Sequence, residues 1–145
     1  MRIYLDNCCY NRQHDKTVSE EIADDKAAVI TIKKAIVGKN LELATSFMLH
    51  YENNRNKNIR NKDYNDFFMK NYRTVYIGVE FAEELKILSE KITQSGIKIK
   101  DAYHIACAII AECDYFITVD KRLLKFQSEQ IKIINPIEFV KILED

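Results

Sequence analysis

Short apolar runs alternate with helix-patterned stretches along the whole chain, and this alternation restricts the fold more than any other feature. The runs are Arg2–Leu5, Leu41–Ala44, Thr74–Ile77, Tyr115–Val119 and Ile131–Ile134. They are too short for helices and apolar without alternation, as strands are when both faces of a sheet are covered. Between them the apolar period becomes helical. Thr17-x-x-Glu20 reads as a capping box opening a helix with Ile22, Val29, Ile32 and Ile36 on one stripe and Gly38 as its stop. Helical sequence follows from about Ser46 to Arg60 and again from Asp63 to Tyr72. Phe81, Leu85, Leu88 and Ile92 form the stripe of another helix, ended by Gly96. Asp101 opens a further one, apolar nearly all round and therefore buried. Asn135-Pro136-Ile137-Glu138 starts the last, with an N-cap, proline at the first helical position and an acid three residues after the cap. The expected architecture is a three-layer α/β/α sandwich around a mostly parallel sheet of about five strands, one domain over residues 1–145.

Several function classes drop out. Gly38, Gly78 and Gly96 are too far apart for a glycine-rich phosphate loop. The longest apolar run, Ile105 to Ala111, is seven residues, against about 20 for a membrane span. No secretory leader is legible before Asp6, so a cytoplasmic setting is expected. Cysteines 8, 9, 107 and 113 match no redox or zinc spacing and read as reduced, packed thiols. Lysine plus arginine equals aspartate plus glutamate at 22 each, so overall charge does not announce a nucleic-acid binder.

The chemistry gathers at carboxylates. Two strands run apolar and then present an acid, Asp6 after the first and Asp120 after the fourth. In an open parallel sheet, ligands bind beyond the carboxyl ends of the strands where strand order reverses. Neighbouring strands would bring Asp6 and Asp120 together there, and Asp101 could reach the same crevice. Each acid alone also reads as a cap or turn former. Clustered carboxylates repel, so together they imply raised pKa values or a bound cation. Oxygen donors favour Mg²⁺ or Mn²⁺ over zinc. His14, His50 and His104 form no metal or triad motif; His104, three residues after Asp101, could face the same way but reads rather as a packed or solvated side chain.

The same residues resemble a family. Leu5-Asp6, Ser46 followed six residues later by Glu52, Asp101-Ala102-Tyr103-His104-Ile105-Ala106, and Thr118-Val119-Asp120 are similar to the four acidic motifs of PIN-domain nucleases. The likeness covers nearly the whole chain and is nearest to the small prokaryotic PIN proteins that include VapC-type toxins. It implies an endoribonuclease using Mg²⁺ or Mn²⁺, with Asp6, Glu52, Asp101 and Asp120 as catalytic metal ligands. Ser46 and Thr118 would orient those carboxylates by hydrogen bonding. Cys8 departs from the polar residue many members carry there, and Asn7 would supply that polarity one position earlier. A toxin would further imply an antitoxin protein that places an arginine or aromatic side chain in the crevice.

Residues 55 to 73 carry a local excess of four positive charges, interleaved with Tyr64, Phe67, Phe68 and Tyr72. Lys57, Arg60 and Lys62, on a helix continuing past Glu52, and Lys121, beside Asp120, are the expected contacts to RNA phosphates. The aromatics of the same stretch point to a homodimer. Phosphohydrolases with an aspartate nucleophile show D-x-D after the first strand, whereas Cys8 holds the second acid position here. Response-regulator receivers need paired acids near the N-terminus, and Asp6 stands alone. The alternative from another class is a PIN-like module that binds protein or RNA and cleaves nothing.

Overall fold

A computed structural model of the protein describes residues 1–16 and 19–145. Its elements are β1 (Arg2–Leu5), α1 (Asn7–Arg12), α2 (Glu20–Val37), β2 (Glu42–Ser46), α3 (Phe47–Asn54), α4 (Ile59–Tyr72), β3 (Val75–Ile77), α5 (Ala82–Thr93), α6 (Ile99–Ile110), β4 (Tyr115–Ile117), α7 (Lys121–Leu124), β5 (Lys132–Ile134) and α8 (Pro136–Glu144). A single 3₁₀ turn, Val79–Phe81, leads into α5. The strands form one sheet in the order β3-β2-β1-β4-β5, and every pairing is parallel. Strand order therefore proceeds one way from β1 to β3 and then returns across β1 to β4. Among the helices, α5 packs on α6 and α2 on α8. Ile3, Tyr4 and Leu5 of the central strand have no solvent exposure at all, as strand residues covered on both faces should. The architecture is the expected α/β sandwich.

The differences are local. Thr17 lies outside the described residues; α2 begins at Glu20, capped by Ser19, whose Oγ accepts from the Ile22 N–H at 3.3 Å. The helix expected to run from Ser46 to Arg60 stops at Asn54. The asparagines beyond it take hydrogen bonds that a continuing helix would make with its backbone. Asn56 Oδ1 accepts from the Asn58 N–H at 3.0 Å, and Asn58 Oδ1 accepts from the Asn61 N–H at 3.0 Å, capping α4 instead. β2 runs on to Ser46, and β4 ends at Ile117, two residues before the expected limit. α6 opens at Ile99 with Lys98 as its N-cap, so Asp101 stands within the first turn and does not cap it. Gly96, in the loop after α5, has φ +89°, a conformation glycine adopts without strain.

Candidate functional site

The point where strand order reverses lies between β1 and β4. Leu5 pairs with Ile117, and the Asp6 N–H donates to the Ile117 carbonyl at 2.9 Å, extending the ladder one residue past β1. Asp6 is thereby fixed at the floor of the crevice, 7% exposed. Its Oδ1 accepts from the Asn7 N–H at 2.8 Å and caps α1. Its Oδ2 accepts from the Thr118 hydroxyl at 2.8 Å and the Cys8 thiol at 3.3 Å. Cys8, the departure from the family pattern, thus supplies a donor to the first acid. Thr118 in turn accepts from the Asp120 N–H at 3.1 Å, which ties the second strand-end acid to the first.

Asp120 caps α7, accepting from the Arg122 N–H at 2.9 Å, and the Arg122 guanidinium approaches its other oxygen at 3.2 Å. Burial pushes this carboxyl up, but the bonds and charge of Arg122 outweigh it and hold the pKa below the usual range. Glu52, on α3, has both oxygens engaged. His104 Nε2 donates to Oε1, while Oε2 receives Lys100 Nζ at 3.3 Å and Asn7 Nδ2 at 3.2 Å. Burial raises the Glu52 pKa, and His104 and Lys100 together bring it below normal. Asn7 therefore bridges Asp6, through its backbone, to Glu52, through its side chain.

Asp101 differs from the other three. It makes no side-chain hydrogen bond or ion pair among the described residues. Its pKa is raised, first by burial, then by the charges of Asp6 and Asp120, with a smaller push from Glu52 and an opposing one from His104. All four acids thus share one field at the reversal point. They are not drawn into a ready cage: no three His, Cys, Asp or Glu side chains among the described residues stand ready to hold an ion. The donor set fits a hard divalent cation nonetheless, since it is all oxygen and only Glu52 and Asp120 carry counter-cations among the described residues.

The remaining expected residues divide. Ser46 touches no carboxylate; its Oγ caps α3 and bonds the Tyr4 hydroxyl at 2.7 Å. Lys57 lies exposed in the loop between α3 and α4, Arg60 is exposed and Lys62 half-buried on α4. The break after Asn54 removes the continuous helix that was to carry them from Glu52. Lys121 pairs with Glu21 at 3.3 Å. Three further residues support Glu52, a role that sequence pattern did not assign to them: His104, fully buried against it, Lys100, and Tyr4 behind His104. The available signal was the spacing of Asp101 and His104, three apart on one helix face.

No protein-family model matches the chain, and no curated protein sequence does. Among solved structures, the chain is similar to the crystal structure of VapBC2 from Rickettsia felis bound to a DNA fragment from their promoter. The TM-score is 0.55 at 16% sequence identity, over 93% of this chain and 98% of that one. That likeness shows the fold, which is PIN-like.

Proposed function

We propose that this protein is a divalent-metal-dependent endoribonuclease, the toxin of a toxin–antitoxin pair. The observation that carries the reading is Asp101, an unpaired carboxylate raised by burial and by Asp6, Asp120 and Glu52 at the sheet's reversal point. Such a group favours an added positive charge. Asp6, Asp101 and Asp120, with Glu52 beside them, would hold Mg²⁺ or Mn²⁺. The bound ion would polarise a phosphodiester and acidify an attacking water. Asn7, Cys8 and Thr118 keep Asp6 in place, and Thr118 links it to Asp120. Lys57, Arg60, Lys62 and Lys121 remain the proposed contacts to RNA phosphates along the rim.

The partners are proposals of the same reading. Tyr64, Phe67 and Tyr72 of α4 are exposed, and with Ile30 and Val37 of α2 they line a groove of about 410 Å³. A second copy of the chain would cover this surface. An antitoxin would insert an arginine among the acids. A cytoplasmic setting is consistent with four free cysteines, and no described helix is long and apolar enough to cross a membrane.

The test is incubation of labelled single-stranded RNA with the purified chain in Mg²⁺ or Mn²⁺. Internal cleavage is expected, stopped by chelation and by Asp101→Asn or Asp6→Asn. Intact RNA bound by wild-type protein would instead favour the non-cleaving module, a reading to which the counter-cations already on Glu52 and Asp120 lend weight.

A further inference from the structure

A chain of buried hydrogen bonds runs behind the acids and ends on one of them. Tyr4, on the central strand, has no exposed surface. Its hydroxyl stands between Ser46 Oγ at 2.7 Å and His104 Nδ1 at 2.8 Å. Ser46 Oγ also accepts from the Leu49 N–H at 3.3 Å, and His104 Nε2 meets Glu52 Oε1. The direction follows from what each group can do. An ionised carboxylate only accepts, so Nε2 carries a hydrogen, and in the tautomer whose single ring hydrogen sits there Nδ1 accepts. Tyr4, which burial keeps in its phenol form, gives its one hydrogen to Nδ1. The Ser46 hydroxyl then donates to the Tyr4 oxygen. The chain starts at the N-cap of α3, crosses β1 and α6, and returns to α3 at Glu52.

We propose that Tyr4 and His104 are positioning residues that hold Glu52 by Oε1 and leave only Oε2 facing the crevice. The role rests on the acids being a metal site; the order of the bonds does not. With one oxygen fixed, Glu52 cannot chelate an ion through both, and it cannot swing towards Asp101. Groups that orient ligand carboxylates in this way typically change metal affinity about 10–100-fold when removed.

The experiment uses the full chain with ¹⁵N-labelled histidine, His104 being assigned by comparison with His104→Gln. The wild-type ring is expected to carry its proton on Nε2 with Nδ1 bare, and Tyr4→Phe, which leaves the Glu52 acceptor in place, is expected to keep that tautomer while the Nδ1 resonance shifts on losing its hydrogen-bond donor. Titration with Mn²⁺ alone, followed by calorimetry, is expected to show affinity reduced about 10–100-fold in His104→Leu. His104→Gln, which can still donate to Glu52, should recover most of that affinity. A ring protonated on Nδ1 or on both nitrogens would overturn the assigned order. A folded His104→Leu that binds Mn²⁺ like wild type would overturn the positioning role, and Tyr4→Phe decides the point if that variant does not fold. Wild-type protein with the expected ring but no Mn²⁺ binding would overturn the metal reading and leave the bond order standing.

Discussion

Asp6 and Asp101 look alike in sequence, and their surroundings give them opposite effects on stability. Asp101 has no bonding partner among the described residues, and its neighbours raise its pKa. The folded state therefore holds its proton more tightly than the unfolded chain does. Stability falls as pH rises through that window, and the penalty is complete above the raised pKa. Asp101→Ala should raise metal-free stability at neutral pH by a few tenths to about 1 kcal/mol, the modest scale of a partly solvated group. The gain should vanish in acid, below the ordinary carboxylate range. Asp6→Ala should do the reverse, although relief from repulsion alone would have made it stabilising. It removes the α1 cap, worth about 1 kcal/mol, and leaves the Thr118 hydroxyl buried without its acceptor, at about 1–3 kcal/mol. Urea titrations at neutral and acid pH measure both; a destabilised Asp101→Ala would mark that acid as structural. The strand-end acids were legible because β1 and β4 are parallel neighbours in register. Glu52 was legible only through the family likeness, since one acid on a short helix carries no pattern. His104 was hidden because a lone histidine among apolar residues looks like any packed side chain.

At the scale of elements, the strands could be read from the chain because three to five β-compatible residues between helices have few other folds open to them. α1 and α7 could not, being six and four residues long and too short to display a helical period. Both begin at a strand-end aspartate, so the residues read as site acids also start helices. The packing of α2 on α4 carries a second feature outside sequence pattern. Lys33 is buried with its Nζ 5.2, 5.1 and 4.6 Å from the ring centres of Tyr10, Tyr64 and Phe68, and it donates to Gln13 Oε1. Burial lowers its pKa from 10.5 to about 8. The folded state thus binds this proton less tightly than the unfolded chain, and stability should rise with pH between about 8 and 10.5. A drop of that size corresponds to about 3 kcal/mol, and the three ring faces return part of it. Lys33→Met is therefore expected to stabilise the fold by about 1–3 kcal/mol below pH 8, with the advantage disappearing above pH 10.5. Denaturant midpoints across that range check it. A loss of stability at neutral pH would show that the rings and Gln13 hold the ammonium more strongly than burial opposes it.

Two surfaces of the molecule, an apolar groove on the helices and an acidic crevice at the carboxyl ends of the central strands, each predict a different collective response. If the groove is covered by a second copy, Phe67, 62% exposed on its rim, should be decisive. Phe67→Lys should shift sedimentation from dimer to monomer without lowering the melting temperature of the isolated chain, and a monomeric wild type would remove that role. The crevice predicts a linkage. An ion that binds only the folded state stabilises it by about 2.7 kcal/mol at a hundred times its dissociation constant. For a chain of this size that is roughly 5–10 °C in melting temperature. Because Asp101 is the acid with neither a hydrogen-bond donor nor a counter-cation among the described residues, its removal should act twice. Asp101→Ala should melt higher than wild type without metal, since the repulsion is gone, and should gain little as Mn²⁺ is added. Wild type should start lower and climb, so the two melting curves plotted against Mn²⁺ concentration should cross. A merely structural Asp101 would put the variant below wild type at every concentration. Curves that climb in parallel would place the ion away from Asp101, and the acids at the reversal point would then be held by their caps and cations alone.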